Sequence, residues 1–274
     1  MRISIFYSMN TDFLLNLIAK NKTAFKLGSY FVDFVFSDSI KTYRIIFGPA
    51  RGIIMKLSAR KQTSFLLGIY ESAAVNLLLK HLSDETVFWD IGAHTGYFTC
   101  IMSPRLTEGR VICVEPLSEN IELLRENIRL NNLKNTIIID KALSSSEKIV
   151  SFLVAKDSYQ GKIAHNQEYL PGKKVYIKAT TIDALIKSGI PVPNILKIDA
   201  EGEEGRILKG ATLVLQKYQP CFLIEIHSSE NAQICWDILS FYRYNIKFLN
   251  NGFLQQAERP QDIENRHIWA EVIK

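Results

Sequence analysis

One stretch decides the fold of this chain, and it reads Val87-Phe88-Trp89-Asp90-Ile91-Gly92-Ala93-His94-Thr95-Gly96-Tyr97-Phe98. An apolar run typical of a buried strand ends in an acid, a glycine-rich turn follows, and a helix is predicted from Gly96. Such a turn lets the backbone approach a ligand closely, and free amides at the start of a helix attract anions. The stretch therefore predicts a strand, turn and helix that bind a ligand at the turn.

Around this unit, β-rich runs alternate with amphipathic segments to the end of the chain. Strands are predicted over Val87–Ile91, Arg110–Glu115, Thr136–Asp140, Asn194–Asp199, Cys221–Ile226, Ile246–Leu249 and Ile268–Ile273. Helices are predicted from Gly96 and over Ser118–Asn131, Glu203–Tyr218 and Asn231–Tyr242. This alternation favours an α/β fold with a mainly parallel sheet covered on both faces. The runs Lys148–Val154 and Lys174–Lys178 look antiparallel and predict an inserted flap.

The N-terminal part has a different pattern. Residues 1–40 predict one or two helices, and Tyr43–Phe47 and Ile53–Leu57 predict a β-hairpin. A helix is predicted over residues 70–82. We therefore expect an extension over residues 1–70 and a ligand-binding domain over residues 71–274.

Composition excludes several classes of protein. The chain has 274 residues, of which 47% are hydrophobic and 22% charged, so a disordered or fibrous protein is excluded. The 4 cysteines show no metal-site spacing, which predicts free thiols in a reducing, cytoplasmic setting. Charged residues interrupt the apolar N-terminal patches, so neither a signal peptide nor a spanning helix is expected.

The net charge of +5 is concentrated in the extension. Residues 41–61 contain six Lys and Arg and no carboxylate. This patch predicts either peripheral contact with an anionic partner or membrane, or a solvated face with no further function.

Acids that follow the strands indicate the ligand. Asp90 before the glycine turn suits a ligand with a cationic amine, such as S-adenosylmethionine. Glu115 ends the next strand at the distance where an acid binds ribose hydroxyls in nucleoside-binding folds. Asp140, after the third strand, is placed to reach the adenine edge, although an acid that only forms the turn fits equally well. His94 occupies the second glycine position of a dinucleotide motif, which disfavours NAD.

A second group of polar residues follows the fourth and fifth predicted strands. Lys197 and Asp199 share a strand face, and Glu201 lies on the turn beyond. Glu225 and His227 lie on the same side of the next strand. Open α/β sheets bind ligands at this end of their strands. Glu203 and Glu204 are expected only to favour the start of the following helix.

The order and spacing of several motifs suggest a family. The motifs are Trp89-Asp90-Ile91-Gly92-Ala93, Gly96-Tyr97-Phe98, Val114-Glu115-Pro116, Thr181-Ile182-Asp183-Ala184-Leu185, Lys197-Ile198-Asp199-Ala200-Glu201-Gly202 and Glu225-Ile226-His227. From about residue 68 onward, the chain resembles the FkbM family of S-adenosylmethionine-dependent methyltransferases. His94 departs from the Asn expected at its position.

The resemblance implies a class I methyltransferase, Rossmann-like, doubly wound sheet with strand order 3-2-1-4-5-7-6, and O-methylation of a small molecule, sugar or glycan. It implies contacts to S-adenosylmethionine by Asp90, Gly92, Ala93, His94, Gly96, Tyr97, Phe98, Glu115, Asp140, Lys141 and Asp199. Tyr70, Glu71 and Glu225 are the implied acceptor contacts. A hydroxyl acceptor benefits from a base, for which Asp199, Glu201 and His227 are candidates. The same acids would also suit a divalent metal, which we do not predict from the sequence.

Two other functions compete with this interpretation. The basic extension would suit a nucleic-acid methyltransferase, but the acids near the site repel phosphate, so no nucleic-acid partner is expected. A non-catalytic binding protein on the same fold is disfavoured because Asp90 and Glu115 are both present. No residue pattern indicates an oligomeric state.

Overall fold

The structure is a computed structural model that describes residues 38–155, 161–163 and 172–272. The helices predicted within residues 1–40 fall outside these described residues, apart from the last three positions. The chain divides into two compact units, Met1–Ser72 and Ala73–Lys274, and each is described by itself. The expected domain limits, 1–70 and 71–274, stay a prediction.

The first unit contains the β-hairpin. Strands β1 (Ile40–Arg44) and β2 (Ile54–Ser58) pair antiparallel, and the short helix α1 (Thr63–Leu67) follows. The first strand lies three residues earlier than predicted. The regular pairing ends at Arg44 because Ile45 faces two successive residues: its amide donates to the Ile53 carbonyl oxygen, and its carbonyl accepts from the Gly52 amide. The turn itself lies at residues 47–52.

The second unit is built on an eight-stranded sheet. Its strands are β3 (Val87–Ile91), β4 (Arg110–Val114), β5 (Thr136–Ile139), β10 (Ile195–Ile198), β11 (Cys221–Glu225), β12 (Tyr244–Asn250), β13 (Phe253–Gln256) and β14 (His267–Val272). The spatial order is β13-β12-β14-β11-β10-β3-β4-β5. Five strands are parallel, and β14 inserts antiparallel between β11 and β12. Counted along the chain without the edge hairpin strand β13, this is the order 3-2-1-4-5-7-6, which confirms the predicted fold class.

Helices accompany these strands. They are α2 (Ser72–His81), α3 (Tyr97–Met102), α4 (Ser118–Leu130), α5 (Ile182–Lys187), α6 (Glu204–Lys209) and α7 (Ser229–Phe241), with a π-helical turn at Val214–Tyr218 and 3₁₀ turns at Ser103–Arg105 and Pro260–Ile263. The sheet is apolar on both faces, and Phe88, Trp89, Leu196 and Phe222 are fully buried. Their burial holds the polar ends of β3 and β10 in one place. No helix among the described residues is long and apolar enough to cross a membrane.

The predicted flap is a separate sheet. It contains β6 (Ala142–Leu143), β7 (Lys148–Ala155), β8 (Gly161–Ile163) and β9 (Gly172–Thr180) in the order β6-β9-β7-β8. Strands β7 and β9 pair antiparallel, as their sequences predicted. A small apolar cluster that includes Val150 and Phe152 covers one face of this sheet.

The single helix predicted over Glu203–Tyr218 is wrong, because the segment divides at Gly210. A Cβ there would overlap the Ser144 carbonyl oxygen, so the chain passes close to the start of the flap. A second helical segment then begins, and Asp183 accepts hydrogen bonds from the amides of Leu213 (2.8 Å) and Val214 (3.2 Å). An acid distant in sequence thus satisfies amides that a new helical start leaves without partners.

Candidate active site

The glycine-rich turn after β3 touches the ends of two neighbouring strands. The amides of Gly92 and Ala93 both donate to the Val114 carbonyl oxygen, at 3.0 and 3.1 Å. Gly92 has φ +76°, and a Cβ on it would stand 1.9 Å from the Asp199 carbonyl oxygen. Only glycine combines this backbone conformation with so close an approach. The turn is therefore seated directly against the end of β10.

The remainder of the turn leads into α3. Gly96 adopts φ +89°, where a Cβ would come within 2.5 Å of Leu124 on α4. His94, which replaces the expected Asn, also has a left-handed backbone, with φ +51°. Burial lowers the pKa of His94 to about 4, so its side chain is neutral at neutral pH.

Glu115 links this turn to the end of β4. Its Oε2 accepts from the His94 amide at 2.9 Å, and its Oε1 accepts from the Leu117 amide at 3.0 Å and the Asn120 side chain at 3.1 Å. A carboxylate has about four acceptor positions, so three protein donors leave one for a ligand hydroxyl. Burial raises the pKa of Glu115 to about 7, although these donors favour its ionised form.

Asp90 lies beneath the turn. Its side chain is 1% exposed, and its Oδ2 accepts from the Thr99 hydroxyl at 2.7 Å. Its Oδ1 lies 3.9 Å from the Lys197 ammonium and has no hydrogen-bond partner among the described residues. Burial raises the pKa of Asp90, and Lys197 offsets part of this effect. Lys197 also donates to Asp199 Oδ2 at 3.2 Å and lies over the Phe98 ring.

Asp199 is one of four carboxylates that surround the imidazole of His227. His227 Nε2 lies 3.7 Å from Asp199 Oδ1, 3.8 Å from Glu201 Oε2 and 3.9 Å from Glu225 Oε1. On the other side of the ring, Nδ1 lies 2.9 Å from Glu204 Oε1. The structure thus brings together all three predicted base candidates, and Glu225 with them.

Glu204 is the carboxylate near His227 whose place in the site was not predicted from the sequence. It was expected only to favour the start of α6, which is wrong because its side chain is fully buried and contacts His227. Its Oε1 also accepts from the Gly202 amide at 2.9 Å. Glu203 is buried too, and accepts from the Ser144 hydroxyl and from Arg206. The available signal was a pair of acids shortly after one strand end and a histidine after the neighbouring strand end, but this signal does not say which acid the fold turns inward.

The charges of this cluster act on each other. Burial lowers the pKa of His227, but Glu204, Asp199 and Glu225 outweigh burial and raise it to about 9. Burial likewise raises the pKa of Asp199, while Lys197 and His227 bring it below its ordinary value. Without a bound cation, His227 is therefore an imidazolium at neutral pH and Asp199 is ionised.

The other predicted site residues occupy three environments. Asp140 is exposed directly after β5, and Lys141 next to it is partly buried. The side chains of Tyr97 and Phe98 are buried in α3. Tyr70 and Glu71 lie in the first unit, so their acceptor contacts stay a prediction.

The fold and the site together define a class of protein. The sheet order with its antiparallel seventh strand, the glycine turn after β3 and the acid after β4 are the features of a class I methyltransferase. The sequence profile of the methyltransferase FkbM domain matches residues 90–254. The chain therefore belongs to the FkbM family of S-adenosylmethionine-dependent methyltransferases.

Several characterised or structurally solved proteins are similar to this chain. The hexuronic acid methyltransferase AglP of Haloferax volcanii is 31% identical over 172 residues, which cover 62% of this chain and 68% of that protein. The structure of methyltransferase FkbM from Methylobacillus flagellatus KT is 20% identical with TM-score 0.49, covering 69% of this chain and 44% of that one. The chain thus spans less than half the length of that protein. A precorrin-6y C5,15-methyltransferase from Geobacter metallireducens GS-15 is 15% identical with TM-score 0.45, covering 73% of this chain and 88% of that one.

Proposed function

We propose that this enzyme O-methylates a hydroxyl of an acidic sugar, of the hexuronic acid class. The observation that carries the proposal is the seating of the glycine turn against Asp199, because Asp199 begins the cluster of acids around His227. A ligand at the turn is thereby next to groups suited to bind and deprotonate a hydroxyl. The acceptor class is supported by the hexuronic acid methyltransferase to which the chain is similar.

The residues around the turn fit S-adenosylmethionine, which supplies an electrophilic methyl group on a sulfonium. Glu115 has an acceptor position left for a ribose hydroxyl. Gly92 and Gly96 let the turn pack closely against Asp199 and Leu124, and Asp140 is exposed at the next strand end, where it would face the adenine. We assign the cofactor contacts to these residues together with Ala93 and His94.

The transfer is an in-line displacement in which the acceptor oxygen bonds to the methyl carbon as the carbon–sulfur bond breaks. The protein's main task is therefore alignment of the two reactants. The hydroxyl proton must also leave, and Glu201 is the base candidate best placed to receive it. Its side chain is 42% exposed, whereas that of Asp199 is 18% exposed and His227 already carries a proton at neutral pH.

The same cluster disfavours a nucleic-acid substrate. Asp199, Glu201, Glu204 and Glu225 all lie within 3.9 Å of His227, so one cation is surrounded by four acids. A phosphate backbone would be repelled from this surface, while nucleic-acid enzymes gain affinity from cations.

The first experiment separates cofactor binding from turnover. Calorimetry is expected to show binding of S-adenosylmethionine and S-adenosylhomocysteine but not of NAD, and Glu115→Ala weakens that binding. Glu201→Ala retains cofactor binding but lowers methyl transfer to uronic acid acceptors, detected by mass shift. Glu230→Ala, an exposed acid in the first turn of α7, is the matched control and keeps full activity. Binding of NAD alone, or full turnover by Glu201→Ala, would contradict the assignment.

We further propose that the hairpin meets an anionic surface peripherally, at the cytoplasmic location expected from the free cysteines. Lys41, Arg44, Arg51, Arg60 and Lys61 are exposed on or beside β1 and β2. A variant with Lys56, Arg60 and Lys61 all changed to Ala is expected to lose retention on vesicles that contain anionic lipid. Unchanged retention would assign the patch to solubility alone.

A further inference from the structure

The side chains of Asp199, Glu201 and His227 carry ligand atoms at distances that suit one metal ion. Atoms of Asp199, Glu201 and His227 lie within 4.8 Å of one another, with Nε2 at 3.7 and 3.8 Å from the two carboxylate oxygens. Two ligand atoms that each lie about 2.1 Å from the same divalent ion are roughly 3 Å apart when the ligand–metal–ligand angle is a right angle. They are roughly 4.2 Å apart when the ion lies on the line between them. The two distances to Nε2 fall inside this range without any rearrangement.

The orientation of His227 is a second, independent observation. A carboxylate only accepts hydrogen bonds, so the 2.9 Å contact with Glu204 places the proton of a neutral ring on Nδ1. When a bound metal displaces the Nε2 proton, the lone pair of Nε2 faces Asp199 and Glu201. Histidine ligands of metals are commonly held in this way by a carboxylate on the other nitrogen.

Glu204 is a buried carboxylate whose hydrogen bonding is incomplete. Its side chain is fully buried, and its Oε2 has no hydrogen-bond partner among the described residues. A buried carboxylate with an unsatisfied oxygen is costly, and a divalent ion bound to the other side of the His227 ring would add positive charge close to it. Asp90 and the four carboxylates around His227 are more numerous than the cations that face them in the described part of the chain, which are Lys197, His227 and His267, so this group retains negative charge that one divalent ion would offset.

We propose that Asp199, Glu201 and His227 Nε2 bind one divalent cation of the Mn²⁺ type, with Glu204 as the positioning residue behind His227. Two carboxylates and one imidazole leave coordination positions open, as in catalytic metal sites. The role of the ion, although not its binding, rests on the proposed function. The ion would bind the acceptor hydroxyl and ease loss of its proton to solvent, and it would also attract the carboxylate of an acidic sugar. With the ion bound, Glu201 would be a metal ligand instead of the base named above, and the proton would leave through water.

The test measures metal binding without any turnover. The full-length protein is stripped with a chelator and titrated with Mn²⁺ alone, and free Mn²⁺ is followed by its electron paramagnetic resonance signal. We expect one site in the wild type, displaced by Zn²⁺, and loss of at least tenfold in affinity in Glu201→Gln and Asp199→Asn. Glu230→Gln is the control and binds as the wild type does. Glu201 is half exposed, so its variant is expected to fold, which circular dichroism checks.

Glu204→Gln tests the positioning role. An amide can still meet Nδ1 but removes the buried charge, so Mn²⁺ affinity is expected to fall about 10- to 100-fold while S-adenosylhomocysteine affinity stays constant. Absence of Mn²⁺ binding in the wild type, or equal binding in Glu201→Gln, would overturn the proposal. If the stripped enzyme then still methylates an acidic sugar, the proposed function stands and only the cation is refuted. If the wild type binds Mn²⁺ but methylates no sugar, the cation site stands and the proposed function is refuted.

Discussion

Replacement of Gly92 by Ala tests the seating of the glycine turn against β10. The added Cβ would stand 1.9 Å from the Asp199 carbonyl oxygen, whereas ordinary contacts begin near 3.4 Å. The turn and the Asp199 backbone must therefore separate by about 1.5 Å. Both sides of the contact are backbone, so no side chain can rotate to make room.

Two costs add in this variant. A left-handed backbone costs an L-residue about 1–2 kcal/mol, and overpacking costs about 1–3 kcal/mol more. We therefore expect a loss of about 2–5 kcal/mol in the free energy of unfolding. A reacting group displaced by about 1 Å also costs on the order of a hundredfold in rate, so kcat/KM is expected to fall by about that factor.

Gly252→Ala is the matched control for the free-energy cost of placing alanine in a left-handed backbone. Gly252 has φ +84° in the turn between β12 and β13, and a Cβ on it would meet nothing within 4 Å. Urea unfolding of both variants is expected to show about 1–2 kcal/mol for Gly252→Ala and a further 1–3 kcal/mol for Gly92→Ala. Equal losses in the two variants would refute the close approach of the turn to Asp199.

Three further predictions follow from buried charges and hydrogen bonds. The pKa of Glu115 is raised to about 7, so its ionised form prevails only above that pH. The affinity for S-adenosylmethionine, measured by calorimetry, is therefore expected to fall about tenfold from pH 8 to pH 6, and Glu115→Gln should remove this dependence. An affinity that does not change with pH would contradict the assignment of Glu115. Lys197→Met removes the cation that the carboxylates of Asp90 and Asp199 share, so the free energy of unfolding in urea is expected to fall by about 3–5 kcal/mol. An unchanged unfolding midpoint would argue against these ion pairs. Asp183→Ala removes the acceptor of two amides and is expected to cost about 1–3 kcal/mol, with a loss below that range showing that water replaces it.

The sheet was predictable because its strands carry strong local signals. Val87–Ile91 and Cys221–Glu225 are apolar on both faces and end in acids, as buried parallel strands next to a ligand do. The carboxyl ends of parallel strands meet at one edge of a sheet, so the proximity of Asp199 to the glycine turn also followed from the pattern.

Features that depend on long-range contacts were not predictable. The break at Gly210 is imposed by Ser144 and Asp183, and neither is near it in sequence. The burial of Glu204 depends on the position of β11 relative to α6, since the helix alone would let that acid face solvent. In both cases a local propensity was outweighed by tertiary structure.

The most direct measurement of the central claim is methyl transfer from isotope-labelled S-adenosylmethionine to a panel of uronic acid glycosides and their neutral counterparts. Products are analysed by mass spectrometry and by NMR of the new methyl group. We expect one labelled O-methyl group on a hydroxyl of an acidic sugar, and a lower yield of this product with Glu201→Ala. Label that appears on a nitrogen or on nucleic acid, with no uronic acid modified, would contradict O-methylation of an acidic sugar by this enzyme.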